Sequence, residues 1–374
     1  MIQLTKQPTL KKHGQIFCGA AASRLLLLLL GFIMLKITNN SRSLAAIFST
    51  ASDTPHYLYL AENWYATTGD KANLLVFYPL YPLLIKIVHF FVRNYTFAGL
   101  LISYICFGVA SCYLYDLLRL DYDKPRSIDG LMAFWLFPFG FFYMAVFTES
   151  LFVMLTVMAL YYTRKHNWLA VGITGLLAAA TRTQGILVLV PAVIEIIYAA
   201  RERFLQKEKW FSPSMLYILL IPVGYLSYLI LNKIYGGSFT KFLEYQSAAP
   251  WYNSAQWIGN NITQQVGMAK DHFYLSLIIY WPEILLFFVA AGIIFYGIKH
   301  RANSLYLAYL GVYTATSYLH GWLISGPRYF MACAAVYLIF AEIKNESARR
   351  FILFMLALWL MLFNYLWFSG QAIM

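Results

Sequence analysis

The sequence predicts an all-α protein that crosses a membrane many times, and three observations carry that prediction. Hydrophobic residues make up 61% of the 374 and charged residues only 12%, where a soluble domain carries about 25% charged residues. The apolar residues are gathered into long runs, as membrane helices require, rather than alternating with polar ones as in half-buried strands. Basic residues concentrate in short segments between alternate runs, the pattern that orients a chain in a membrane. The net charge of +12 would suggest nucleic acid in a soluble protein. Here topology-setting loops and anionic lipid headgroups account for it, so membrane lipids are expected as partners and nucleic acid is not.

The elements follow in order. Behind Lys6, Lys11 and Lys12, residues 16–35 form the first apolar run, with six consecutive leucines from Leu25 to Leu30. It resembles a signal-peptide core, but many runs follow, so it is read as a retained signal anchor. Residues 37–96 are too polar to span and form a long first loop. Within it, 78–92 is amphipathic and is expected to lie along the interface with its tyrosines at headgroup level. Further spans are expected at about 97–117, 127–146, 149–163, 167–181, 184–200, 214–234, 273–298, 303–320, 328–343 and 351–369, making eleven in one integral-membrane domain over 1–374. The pair at 167–181 and 184–200 also reads as one broken or re-entrant unit. A second long loop, 235–272, opens at Gly236-Gly237, which break the preceding span. Its Phe242, Tyr245, Trp251, Tyr252 and Trp257 suit an interfacial helix or an aromatic wall for a sugar ring. The four cysteines, Cys18, Cys106, Cys112 and Cys333, lack metal-ligand spacing and are expected to be small core residues.

With the N-terminus in the cytoplasm, the cytoplasmic loops hold 17 of the 28 Lys and Arg, and the longer outer segments hold 9. On this topology Asp53, His56, Glu149, Arg182, Gln184, Glu244, Gln246 and Arg328 all fall on the extracytoplasmic side. Ionisable groups at membrane depth are costly and mark functional sites, so one polar pocket on that face is expected.

Each candidate has two readings. Asp53 can act as a general base toward an acceptor hydroxyl, or cap the helix that Thr54-Pro55 begins. His56, three residues on, can orient Asp53, bind the acceptor or relay a proton, or be an interfacial histidine. Glu149, in Phe147-Thr148-Glu149-Ser150, can serve the acceptor or a metal, or favour a helix N-terminus that Thr148 caps. Arg182 and Arg328 each lie beside a helix-breaking Gly or Pro. Each can grip phosphate through two parallel hydrogen bonds or snorkel to headgroups. No Walker loop, dinucleotide fingerprint or His-Glu-x-x-His appears, which argues against a common ATP-driven pump or zinc protease. No cofactor is required; a divalent metal is compatible but not indicated.

Four stretches together resemble the PIG-V family of mannosyltransferases, within the GT-C superfamily of membrane glycosyltransferases. They are Asp53-Thr54-Pro55-His56-Tyr57 with Phe77-Tyr78-Pro79-Leu80-Tyr81-Pro82-Leu83; Phe147-Thr148-Glu149-Ser150-Leu151-Phe152; Ala180-Thr181-Arg182-Thr183-Gln184-Gly185; and Gly236-Gly237-Ser238-Phe239 through Phe242 and Gln246, with a later Pro327-Arg328-Tyr329. The resemblance implies a GT-C-like fold and a polyprenyl-phosphate hexose, usually mannose, as donor. It implies transfer with inversion to a lipid-linked or glycan acceptor on the extracytoplasmic face. The lack of long soluble loops and the compact size lead to the expectation of a bacterial or archaeal cytoplasmic membrane. Asp53 matches the catalytic Asp and His56 the His after it. Glu149 and Gln246 would serve the acceptor or orient the base, and Arg182 and Arg328 would hold the donor phosphate. Ser52 stands where the family usually has Trp, and Thr183-Gln184 where it has Asn; these departures leave sugar and acceptor open. Two other classes share this hydropathy. One is a transporter or flippase for lipid-linked sugars, which would want polar groups across the membrane midplane; the other is a non-catalytic subunit of a glycan-assembly complex.

Overall fold

The computed structural model describes residues 10–271, 273–321, 325–371 and 373; Lys6 lies outside the described residues. Among these the chain is helical, with no β-structure beyond one isolated bridge between Ala255 and His320. The first run is one helix, α1 (Leu10–Ile37). The first long loop is not irregular. It folds into α2 (Leu44–Thr50), capped by Ser43, then α3 (Thr54–Asn63), a 3-10 turn at Ala72–Val76, and α4 (Leu80–Val92). Asn94 accepts the Phe97 N–H and starts α5 (Tyr95–Asp121), and Asp123 does the same for α6 (Lys124–Trp135). The expected span 127–146 breaks after α6, and a 3-10 segment at Gly140–Met144 leads into α7 (Glu149–Arg164). Next come α8 (Trp168–Ala179), a 3-10 turn at Thr183–Val188 running into α9 (Leu189–Leu205), and α10 (Leu220–Gly236). Gly237 ends α10 at φ +79°, the left-handed cap that glycine adopts without penalty. The second long loop folds as α11 (Lys241–Ser247) and α12 (Ile258–Asp271). A helical stretch follows through α13 (Phe273–Leu275), a π-turn and α14 (Trp281–Lys299). The chain ends in α15 (Ser304–Tyr318), α16 (Gly326–Met331), α17 (Ala334–Phe340) and α18 (Glu346–Phe368).

Among the described residues, six helical stretches are long and apolar enough to cross a membrane: Leu10–Ile37, Tyr95–Asp121, Thr183–Leu205, Pro213–Gly236, Phe273–Lys299 and Glu346–Phe368. This fits a polytopic membrane protein. The other expected spans fall on shorter elements, such as α8 with 12 residues and α7 with 16. At 1.5 Å per residue, α8 is about 18 Å long, well short of a hydrocarbon core of about 30 Å.

Helix α5 packs along α7 at the centre, and α8 packs against α10 with small residues between them. A side-chain carbon on Gly224 would come within 2.0 Å of the Leu176 carbonyl oxygen, and one on Gly172 within 2.2 Å of the Tyr217 carbonyl oxygen, so the two backbones meet only because these positions are glycine. At the end of the bundle where α5 and α6 meet, Asp121 holds Arg164 through both carboxylate oxygens (2.7 and 2.9 Å), and the Tyr306 hydroxyl donates to the same carboxylate. Glu149, at the other end of α7, belongs to the opposite end of the bundle.

Two expectations change. Tyr78 and Tyr81 turn into the protein instead of outward to headgroups. Tyr81 is buried and its hydroxyl bonds Ser103 and the Gly99 carbonyl; Tyr78 stacks on Tyr228 with ring centroids 3.8 Å apart. The outward face of α4 is instead Leu83, Ile87, Phe90 and Phe91, as befits a helix whose polar-tipped rings find partners inside. Cys106 and Cys333 are buried as expected, but Cys18 is exposed on α1.

Arg24 is the charge that α1 carries into the bundle. It is fully enclosed and donates from Nη1 to the Gly140 carbonyl (2.6 Å) and from Nη2 to the Trp135 carbonyl, with its guanidinium over the Phe107 ring. It thus supplies the donors that the broken end of α6 lacks. Arg24→Leu should lower thermal stability in detergent, by about 1 kcal/mol or more for each carbonyl left without a donor; an unchanged Tm would show that these bonds contribute nothing net.

Candidate active site

Four chain breaks meet at one end of the bundle, and each brings one charged side chain. Asp53 stands at the N-cap position of α3, followed by Thr54-Pro55, but its carboxylate makes no cap hydrogen bond. It turns to Arg328 instead, whose Nη1 lies 2.8 Å from Asp53 Oδ2. Asp53 Oδ1 makes no hydrogen bond among the described residues, and the side chain is about a quarter exposed at 27%. Thr148 likewise makes no cap bond for α7. Glu149, the first residue of that helix, is fully buried, and its Oε1 accepts from both Arg328 Nε (2.9 Å) and Arg182 Nη1 (3.0 Å). Glu149 Oε2 is buried with no partner among the described residues. The result is one chain of charges, Asp53–Arg328–Glu149–Arg182, with two acids and two bases.

The supporting shell explains why these residues stay there. Arg182 occupies the extended break between α8 and the Thr183–Val188 turn, with its guanidinium over the Phe152 and Tyr329 rings. Arg328 lies between the Phe142 and Phe147 rings, 5.1 and 4.7 Å from their centroids. Both arginines are therefore desolvated, at 9% and 5% exposure, and aromatic faces compensate part of that loss. The segment leading to Glu149 is tied at both ends. Ser103 of α5 donates to the Ala145 carbonyl (2.7 Å), and Ser150 donates to the Tyr143 carbonyl (2.9 Å). The Tyr143 hydroxyl in turn donates to the Met331 carbonyl (2.6 Å), which also accepts from Tyr337, so the C-terminal end of α16 is fixed to the same segment.

A cavity of about 550 Å³ opens against this chain. Asp53, Arg182 and Arg328 line it, with Gln184 and Gln246. The second long loop contributes Phe242, Pro250 and Trp251 to its wall, as an aromatic wall would require, whereas Trp257 and Tyr252 are exposed to the outside. Glu149 lies behind the wall. Glu244 is not part of the cavity lining; it pairs with Lys241 on the surface of α11. The His56 ring makes no hydrogen bond to the Asp53 carboxylate among the described residues; it packs on Phe77 and Trp251, with centroids 5.3 and 6.3 Å away. Burial pushes the His56 imidazole below its ordinary value, against the pull of Asp53.

Sequence reasoning missed His320, Asn253 and Ser325, which also line the cavity. They fall on short connections, where a polar residue carries no signal of its own. Burial lowers the His320 pKa too. Glu283 was missed as well. It had a signal, an acid three residues into a long apolar helix. No cluster of three or more His, Cys, Asp or Glu suited to a metal occurs among the described residues.

A second cavity, of about 520 Å³, is apolar throughout. Pro282, Leu286, Val289, Ile293 and Tyr296 line it along one stripe of α14, about 21 Å of helix at 1.5 Å per residue. Phe363 of α18 and Phe330 of α16 close it. Helix α16 is the partition: Arg328 and Tyr329 face the polar cavity, Phe330 the apolar one.

Residues 70–243 match the family model described as dolichyl-phosphate-mannose-protein mannosyltransferase. The match takes in Glu149 and Arg182 but covers less than half of the chain and reaches neither Asp53 nor Arg328. It supports a likeness to GT-C-type mannosyltransferases, membrane glycosyltransferases that use a lipid-linked sugar, without singling out the PIG-V family. No curated protein and no solved structure matches the chain.

Because one carboxylate oxygen bonds both buried arginines, Glu149→Ala should be the most damaging change in this cluster. Removing one partner of a buried ion pair costs about 3–5 kcal/mol. Thermal unfolding of Glu149→Ala and Asp53→Ala in detergent checks the ranking; equal losses would mean that Glu149 does not hold the arginines together.

Proposed function

We propose that the protein is an inverting glycosyltransferase of the PIG-V type. It moves a hexose, in the first instance mannose, from a polyprenyl-phosphate donor to a hydroxyl of a lipid-linked or glycan acceptor. The single observation that carries this reading is the state of Asp53. One carboxylate oxygen is held by Arg328, and the other has no hydrogen-bond partner among the described residues, at the wall of a cavity that two arginines also line. The family match independently points to lipid-linked mannose chemistry.

In the proposed mechanism, Asp53 takes the proton of the acceptor hydroxyl. The acceptor oxygen attacks the anomeric carbon from the face opposite the phosphate, a new C–O bond forms, and the old one breaks. Polyprenyl phosphate leaves with the electron pair. Phosphate is a good leaving group, so no general acid is needed, unlike the two flanking carboxylates of most glycosidases. Arg182 and Arg328 stabilise the charge that builds on the departing oxygen. Trp251 and Phe242 offer faces for the sugar ring, while Gln184, Gln246 and Asn253 offer hydrogen bonds to its hydroxyls. The isoprenoid chain lies in the apolar groove along α14, on the other side of α16 from the phosphate. This reading takes the membrane as the cytoplasmic membrane, the N-terminus as cytoplasmic and the site as extracytoplasmic. The arrangement favours an enzyme over a passage, because the charged side chains of the cavity gather at one end of the bundle while the opposite end holds the Asp121–Arg164–Tyr306 network.

Purified protein incubated with polyprenyl-phosphate mannose and a mixture of membrane glycolipid acceptors should consume the donor. Asp53→Asn, correctly folded, should reduce turnover by about 10²–10⁴-fold; retained turnover removes Asp53 as the base. Leu286→Trp, which fills the groove, should raise the KM for a long-chain donor and leave that for a short-chain analogue unchanged. An equal effect on both would place the chain elsewhere.

A further inference from the structure

Glu283 is a buried acid that the proposed mechanism does not use. It sits in the first turn of α14, 1% exposed, between the apolar groove and the polar cavity. It forms no salt bridge among the described residues. Its carboxylate instead accepts one backbone N–H, that of Gly326, with Oε1 at 2.8 Å and Oε2 at 3.0 Å. Its main-chain carbonyl accepts the Tyr318 hydroxyl at 3.1 Å. Tyr318 ends α15 and Gly326 begins α16. One residue therefore ties both ends of the α15–α16 connection, and that connection together with α16 supplies His320, Ser325 and Arg328 to the cavity wall.

The fit is close at both ends. A side-chain carbon on Gly326 would come within 2.0 Å of Glu283 Oε2, so the carboxylate reaches the amide only because residue 326 has none. On the outer side the same connection is pinned to the second long loop. Gln256 N–H donates to the Leu319 carbonyl (2.8 Å), Gly321 N–H to the Ser254 carbonyl (2.5 Å) and the Asn261 side-chain amide to the Tyr318 carbonyl (2.9 Å). Arg328 lies two residues beyond the clamped amide, and its two bonds to Asp53 and Glu149 require its backbone to stay where it is. An ionic partner in Glu283's place would be unnecessary for packing, since Ile284 and Ala290 of the same helix are buried without one. An acid in an apolar helix is costly, and here the cost goes into holding a single amide.

We propose that Glu283 is a positioning residue: its carboxylate clamps the Gly326 amide and so sets the place of Arg328, and through Arg328 the orientation of Asp53, for the glycosyl transfer proposed above. The clamp rests on that reading for its catalytic consequence, but not for its structural one, and two measurements separate them. Hydrogen–deuterium exchange of the full-length protein in nanodiscs reads the clamp directly. Glu283→Ala should speed exchange over 325–331 by about tenfold, the size of one lost hydrogen bond, while α5 stays protected. Glu283→Gln, which keeps an acceptor oxygen, should restore most of the protection. Turnover of polyprenyl-phosphate mannose should follow the same order, with kcat falling in Glu283→Ala and largely recovered in Glu283→Gln at an unchanged Tm. If Glu283→Ala does not fold, Gly326→Ala opens the clamp while leaving the carboxylate in place, and the same exchange pattern is expected. Wild-type protection over 325–331 in the folded Ala variant overturns the clamp. Loosening of 325–331 with wild-type turnover overturns its role in positioning. If the wild-type protein consumes no donor, the transferase reading falls, and with it the catalytic consequence of the clamp, while the exchange data still decide whether the clamp exists.

Discussion

Two buried arginines share one carboxylate oxygen, and the candidate site depends on that sharing. Arg182 and Arg328 carry like charges and have lost most of their water, a state that is unfavourable unless an acid lies between them. Glu149 Oε1 is that acid, at 3.0 and 2.9 Å. With Glu149 committed to both arginines, Arg328 extends to Asp53 through the opposite side of its guanidinium. A planar group with donors in a fixed fork can make that link; a lysine could not make both bonds in the same geometry. Four segments are thereby brought into register by three ion pairs that bridge 33, 179 and 275 residues of sequence.

The site exists because helices break there. Asp53 precedes α3, Glu149 opens α7, Arg182 interrupts the run between α8 and α9, and Arg328 lies in the six-residue α16. Non-helical backbone inside a membrane protein is tolerated where it is buried in protein or lines a cavity, and here it does both. The short helices are consistent with the same need. Helices α7 and α8 are heavily buried against α5 and α10 and need not reach across the bilayer themselves.

This division explains what was legible in the sequence. Hydropathy finds long runs that face lipid, so the six spanning stretches were readable, and so was the isolation of Asp53, Glu149, Arg182 and Arg328 in apolar surroundings. Asp53 sits where a capping residue belongs and Glu149 in the first turn of a helix, and local sequence could not decide between helix-end and site roles. The answer lay in Arg328, 275 residues from Asp53, and no local signal carries a contact of that range. The tyrosines of 78–81 point inward for the same reason: their partners, Ser103, Thr183 and Tyr228, come from distant helices. Glu283 was readable by the rule that found the other acids, since an ionisable group in an apolar helix is unusual wherever it falls. Its partner is a backbone amide, which leaves no mark in sequence at all.

The charge arithmetic of the cluster bears on how one arginine could serve two groups. At rest the four side chains sum to zero. On the proposed reading, a polyprenyl-phosphate sugar adds one negative charge as a phosphodiester. During transfer, Asp53 loses its charge by taking a proton, and the departing phosphate, now a monoester, gains one, approaching −2 at neutral pH. The total does not change; one negative charge moves from the carboxylate to the phosphate. Arg328 touches the first group and lines the cavity where the second would lie, so the same guanidinium interacts with the charge at the start and at the end of its path. Arg182, with a single hydrogen bond to Glu149, keeps further N–H groups for the phosphate. A site of this kind needs little reorganisation as the bond breaks, and such preorganised charge is where most catalytic stabilisation comes from. It also requires that Arg328 not drift between its two partners, which is why the backbone two residues before it is held as firmly as the side chain.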